Sequence, residues 1–94
     1  MAVGRAARRA ERLARFQEEF GKDAAPRALD LMELLEYAWH DCYRDVTPDD
    51  QVIEDLLVCS QGDLTKMIRY CLLAVEDWRD LRVMANGIRA GGQS

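Results

Sequence analysis

The residues best suited to chemistry are a single histidine and three cysteines. His40 is the only histidine in the 94-residue chain, and the thiols are Cys42, Cys59 and Cys71. A helical zinc site with two histidines and a di-iron site with two Glu-x-x-His motifs are therefore excluded. No Cys-x-x-Cys spacing is present, so a zinc site would need the fold to bring these distant side chains together. We expect the cysteines to pack as small apolar side chains and the chain to hold no metal or other cofactor.

A cysteine nucleophile would need a histidine base within hydrogen-bond reach. Cys42 is two residues from His40, and residues two apart on a helix do not face each other. Cys59 and Cys71 lie in apolar stripes, where a thiol is poorly activated. The chain also lacks a glycine-rich phosphate loop and a nucleophile elbow. We therefore expect no catalysis, and a small metal-binding or thiol-dependent enzyme is the least favoured alternative.

Charge is distributed unevenly along the chain, although the net charge is only −4. Residues 1–15 carry five arginines and one carboxylate, whereas residues 16–63 carry three basic residues and thirteen carboxylates. Residues 64–94 are weakly basic, with five basic residues and three carboxylates. A basic start followed by an acidic middle indicates either contact between the two or separate partners for each.

The five arginines at the start fall on one arc of a helix. Guanidinium groups in such an arc bind phosphates well, which makes nucleic acid one candidate partner. The alternative is that the first helix folds over the acidic segment or meets an acidic surface of another protein. The candidate nucleic-acid contacts are Arg5, Arg8, Arg9, Arg12 and Arg15.

The spacing of apolar residues predicts one all-α domain over residues 1–94, with four helices in an antiparallel bundle. Residues 1–25 form an arginine-rich helix with a frayed start, whose alanines and Leu13 should face the core. Residues 26–90 form the helical core, and residues 91–94 form a disordered tail. The third helix, over residues 48–59, is short. Asp63 then caps a long C-terminal helix.

The C-terminal helix shows the strongest pattern in the chain. Apolar residues recur at alternating steps of three and four, so we expect residues 64–88 to form one continuous helix with a buried seam. Ile68, Leu72 and Val75 widen this seam, which predicts that the first half of the helix is embedded. The seam consists of Leu64, Met67, Cys71, Ala74, Trp78, Leu81, Ala85 and Ile88.

These features favour a small non-catalytic protein-interaction or regulatory module, with a protein partner or a homodimer as its assembly. The far end of the C-terminal helix is the expected contact, and Arg82 should stack on Trp78 there. No apolar stretch is long enough to span a membrane, and the start lacks the apolar core of a signal peptide. We therefore expect a cytoplasmic protein with no membrane partner. The predicted interface consists of Trp78, Leu81, Arg82, Ala85 and Ile88.

Overall fold

Three α-helices form the fold in a computed structural model, which describes residues 4–91. They are α1 (Arg5–Tyr43), α2 (Asp50–Ser60) and α3 (Leu64–Gly91), and these residues contain no strand. The all-α class is confirmed, but the four-helix bundle is not, because the first two predicted helices form the single element α1. The predicted tail begins inside α3, which extends through Gly91. Its residues 92–94, like residues 1–3 of the predicted frayed start, lie outside the described part of the chain.

α1 folds back on itself at Gly21, where the backbone leaves helical geometry with φ 83° and ψ 162°. Glycine adopts this left-handed φ without the penalty that a Cβ would add. Arg8 and Glu36 are 28 residues apart, which a straight helix would separate by about 42 Å. The Arg8 Nε nevertheless lies 2.8 Å from Glu36 Oε2. The first half of α1 (residues 5–20) therefore lies alongside the second half (residues 22–43).

The first half of α1 presents its arginines, rather than its alanines, to the rest of the molecule. Phe16 and Phe20 are buried, whereas Leu13 and the alanines at positions 6, 10 and 14 are exposed. The prediction that Leu13 and these alanines face the core is therefore wrong. The physical reason is that small alanine side chains gain little from burial, whereas the arginines find carboxylates along the second half of the same helix.

α2 provides the centre of the core. Its N-cap is Asp49, whose carboxylate accepts a hydrogen bond from the backbone N–H of Val52 at 3.0 Å. Asp63 caps α3 in the same way, as predicted, by accepting from the backbone N–H of Thr65 at 2.8 Å. Capping of this kind satisfies N–H groups that the helix itself leaves without partners. The buried apolar residues of α2 are Val52, Ile53, Leu56, Leu57 and Cys59.

α3 contains a break at Asp77, where the backbone is extended with φ −163° and ψ 100°. The Asp77 carboxylate accepts a hydrogen bond from the backbone N–H of Arg79 at 3.0 Å, which restarts the helix. The prediction of one continuous helix over residues 64–88 is therefore wrong. Every seam residue is nevertheless buried or half-buried, because the two halves of α3 turn the seam toward the same core.

Candidate functional site

Two arginines of the first half of α1 converge on one buried carboxylate. Glu36 is only 3% exposed, and its Oε2 accepts hydrogen bonds from Arg8 Nε at 2.8 Å and Arg12 Nη1 at 2.9 Å. Burial by itself would raise the pKa of Glu36, but hydrogen bonds involving Arg8, Thr47 and Arg12 outweigh burial and lower it. Glu36 is therefore held as a carboxylate, and it fixes the first half of α1 to the second.

The other paired arginines bind carboxylates nearer the surface. Arg9 Nη1 lies 2.8 Å from both Asp30 Oδ1 and Glu33 Oε2. Arg15 Nη2 donates to Glu54 Oε1 at 2.8 Å, which links α1 to α2. These carboxylates raise the pKa of both guanidinium groups, chiefly by accepting hydrogen bonds, Glu33 from Arg9 and Glu54 from Arg15. The basic start of the chain thus folds over its own acidic middle.

The arginine arc predicted as a nucleic-acid contact is largely occupied within the chain. Arg8, Arg9, Arg12 and Arg15 each pair with a carboxylate, and the Arg5 guanidinium lies 4.3 Å from the centroid of the Tyr37 ring. A phosphate would have to displace these contacts before it could bind. The nucleic-acid alternative remains a prediction, and the geometry of the arc does not favour it.

The predicted interface at the far end of α3 is mostly covered by the chain itself. Leu81 and Ala85 are fully buried, whereas Trp78, Arg82 and Ile88 are half-buried. The expected stacking is present, with the Arg82 guanidinium 5.3 Å from the centroid of the Trp78 ring. Leu81 and Ala85 have no surface left for a partner, so an interface at this end could use only the other three residues.

A buried ion pair explains why the far end of α3 is held against α2. Asp55 of α2 is completely buried, and it accepts a hydrogen bond from Arg82 Nε at 2.6 Å and lies 2.9 Å from Arg89 Nη1. Burial would raise the pKa of Asp55, but hydrogen bonds from Arg82, Gln51 and Arg89 lower it. Both arginines come from the second half of α3, so Asp55 ties that half to the centre of the core.

A bare apolar surface lies elsewhere, between the second half of α1 and the first half of α3. Leu34 and Leu72 are each 63% exposed, and Ile68 is 50% exposed. The prediction that the first half of α3 is embedded is therefore wrong on this side. These residues border a shallow depression of about 210 Å³, which we call the groove. The groove is lined by Leu31, Leu34, Leu35, Ala38, Ile68, Cys71, Leu72 and Val75.

The two walls of the groove run in the same direction. At the start of α3, a Cβ on Gly62 would lie 2.6 Å from the backbone oxygen of Glu19, just before the bend in α1. At the other end, the Tyr43 hydroxyl donates a hydrogen bond to the Val75 carbonyl at 2.8 Å. The beginnings of both walls therefore lie at one end of the groove and their later residues at the other.

Charged residues flank the groove with opposite signs at its two ends. By helical spacing, Arg27 of α1 and Arg69 of α3 flank the end where both walls begin. Asp41 of α1 and Glu76 of α3 flank the other end. All four are exposed, and neither arginine makes an ion pair with a described residue. The groove is therefore basic at one end, apolar along its length and acidic at the other end.

The three thiols differ in their surroundings, and burial makes two of them poorly reactive. Burial raises the pKa of Cys59 to about 11 and that of Cys71 to about 12, so both remain protonated at neutral pH. Cys42 is exposed. Among residues 4–91, no three His, Cys, Asp or Glu side chains are grouped so that they could hold a metal ion. The combination of His40 with the three cysteines, which a zinc site would need, does not occur there.

One fast-reacting thiol is expected in the native protein. Cys42 should react rapidly with Ellman's reagent, whereas Cys59 and Cys71 should react slowly because burial keeps them protonated and shielded. Absorbance of the released thiolate measures the two phases, and Cys42→Ser should remove only the fast one. A second fast thiol in the Cys42→Ser variant would contradict the packing described for the other two.

No family model, curated protein or solved structure matches the chain. In the part of the chain that the structure describes, no helix combines the length and apolar character needed to cross a membrane. The groove is the feature that the sequence analysis missed. Part of its signal was present in Ile68, Leu72 and Val75, which widen the apolar seam of the C-terminal helix and which we interpreted as burial within the chain.

Proposed function

We propose that the protein is a non-catalytic interaction module that pairs with a second copy of itself through the groove. The observation that carries this proposal is the exposure of Leu34, Ile68 and Leu72 side by side on two adjacent helices. Removing a face of large apolar side chains from water is favourable, so such a face is stabilised when a partner covers it. The self-association expected through the C-terminal helix is thus assigned to its first half.

The charges at the ends of the groove favour a second copy as the occupant. A two-fold axis perpendicular to the groove would place two copies face to face with their walls antiparallel. Arg27 of one copy would then lie opposite Asp41 of the other, and Arg69 opposite Glu76, because the axis brings each wall against the same wall of the second copy. Each basic end would meet an acidic end, so the same face is complementary to itself.

The size of the groove indicates a weak dimer. From Arg27 to Asp41 the face is about 21 Å long, and two packed helices are about 20 Å wide. The face covers on the order of 400 Å², about half the area per partner of a standard stable interface. We therefore expect monomer and dimer to exchange, with the dimer populated at micromolar or higher concentrations.

The free cysteines support the proposed cytoplasmic location. Cys42, Cys59 and Cys71 are all unpaired, and two of them are packed among apolar side chains. Unpaired thiols persist in reducing compartments, whereas oxidising compartments favour disulfides. A role as a regulatory module would follow if dimer formation were controlled by protein concentration.

A substitution in the groove tests the proposal. Leu72→Asp places a carboxylate in the centre of the groove and should raise the dissociation constant of the dimer at least about tenfold. The matched control is Val83→Asp, because Val83 is also highly exposed on α3 but lies outside the groove. Sedimentation equilibrium over a range of concentrations measures both constants, and circular dichroism checks that each variant folds.

Charge reversal tests the orientation of the two copies. Arg69→Glu should weaken the dimer, and adding Glu76→Arg should restore it, because the two positions face each other across the axis. A wild-type chain that remains monomeric at its highest soluble concentration would contradict self-association. Equal effects of Leu72→Asp and Val83→Asp would contradict the assignment to the groove.

A further inference from the structure

A second recess, separate from the groove, lies where α1 ends and α2 begins. It has a volume of about 500 Å³, which is within the range of small-molecule sites. None of its lining residues also lines the groove. We call it the aromatic cleft, and the lining residues that matter here are Trp39, Tyr43, Asp45, Asp49 and Trp78.

Aromatic rings provide much of the wall. The rings of Trp39 and Tyr43 are packed with their centroids 4.3 Å apart. The Tyr43 hydroxyl donates to the Val75 carbonyl, which fixes the position of that ring. Trp78 contributes the third ring, and it already receives the Arg82 guanidinium 5.3 Å from its centroid. The walls are therefore of the type that attracts cations through the negative faces of aromatic rings.

The charged side chains that line the cleft are both acidic. Asp45 is exposed, and Asp49 uses one carboxylate oxygen to cap α2. Neither forms an ion pair with another described residue. Among the arginines around the cleft, Arg12 pairs with Glu36, Arg82 with Asp55 and Arg79 with Asp77. Arg44 stands beside Asp45 in the chain but does not line the cleft. The lining of the cleft therefore carries two negative charges and no positive charge.

We infer that the aromatic cleft binds a small organic cation of the quaternary-ammonium class. Such a cation presents a broad, weakly hydrated positive surface, which three aromatic rings can contact while two carboxylates supply the opposite charge. A neutral molecule of the same shape would lose the electrostatic attraction, and a small inorganic cation would lose the contact with the rings. This inference does not depend on the groove or on dimer formation.

Intrinsic fluorescence gives a direct measurement, because Trp39 and Trp78 are the only two tryptophans of the chain and both line the cleft. Titration with choline should produce a saturable change in emission. The neutral isostere 3,3-dimethylbutan-1-ol should bind at least about tenfold more weakly. Sodium chloride at the same ionic strength should produce no saturable change.

Two variants locate the binding site. Asp45→Asn and Asp49→Asn should each weaken choline binding at least about threefold, and asparagine at position 49 still caps α2. The matched control is Asp50→Asn, which removes a neighbouring exposed carboxylate that does not line the cleft. Equal binding of choline and its neutral isostere, or the absence of any saturable change, would overturn the inference. The Leu72→Asp variant should bind choline like the wild type, so failure of this test is distinguishable from failure of the dimer.

Discussion

Replacing Glu36 with glutamine is expected to lower the free energy of unfolding by about 3 kcal/mol. Glu36 is almost completely buried and accepts hydrogen bonds from both Arg8 and Arg12. A neutral glutamine would leave two largely buried guanidinium groups without their counter-charge. Urea unfolding followed by circular dichroism measures the change. The matched control is Glu33→Gln, which removes a more exposed partner of Arg9 and should cost about 1 kcal/mol or less.

The same carboxylate predicts how stability depends on pH. Because the pKa of Glu36 is lowered in the folded protein, its contribution is fully present above the pKa of an unfolded glutamate, about 4.3. The contribution is lost as the pH falls through the lower pKa of the folded state. The Glu36→Gln variant should lack this part of the acid dependence. Equal acid sensitivity in the variant and the wild type, or equal costs for Glu36→Gln and Glu33→Gln, would contradict the role assigned to Glu36.

Replacing Gly62 with alanine should also destabilise the fold by about 3 kcal/mol, for a reason unrelated to charge. Gly62 has a left-handed φ of 74°, and a Cβ at this position would lie 2.6 Å from the backbone oxygen of Glu19. The backbone at Glu19 cannot move aside as the end of a flexible side chain can. The turn between α2 and α3 would therefore have to move away from α1. Thermal and urea unfolding measure the loss.

Gly87→Ala is the matched control for that substitution. Gly87 lies within α3, and a Cβ there would meet nothing within 4 Å. Since alanine is the better helix former, this variant should be more stable than the wild type by up to about 1 kcal/mol. Similar destabilisation by the two substitutions would show that the close approach of Gly62 to Glu19 is not the cause.

Local patterns in the sequence were sufficient to predict the helical class and the seam of α3. Leu81 and Ala85 are fully buried as their spacing requires, and Asp63 caps α3. The break at Asp77 was missed because an aspartate within an apolar repeat looks like a solvent-facing residue. Its carboxylate instead bonds the backbone two residues later, a local alternative that competes with the helix.

The face that each helix presents was harder to predict than the helix itself. The hydrophobicity of Leu13 led to the prediction that it faces the core, but Leu13 is exposed. The pairing of Arg8 and Arg12 with Glu36 decides the orientation of the first half of α1. Such pairing depends on residues 24 or more positions away, which no local window contains. The groove was missed for the same reason, because the burial of Leu34 and Leu72 depends on which neighbours the fold provides.

The bend at Gly21 divides α1 into parts that different forces hold in place. Residues 5–15 are attached mainly through guanidinium–carboxylate contacts, whereas the centre of the molecule is attached through hydrocarbon packing. Dissolved ions screen charges near the surface over about 8 Å at physiological ionic strength and leave buried hydrocarbon contacts almost unaffected. Added electrolyte therefore weakens the surface contacts of Arg9 and Arg15 first, whereas the buried pairing of Glu36 with Arg8 and Arg12 is screened much less and keeps the amino-terminal stretch attached.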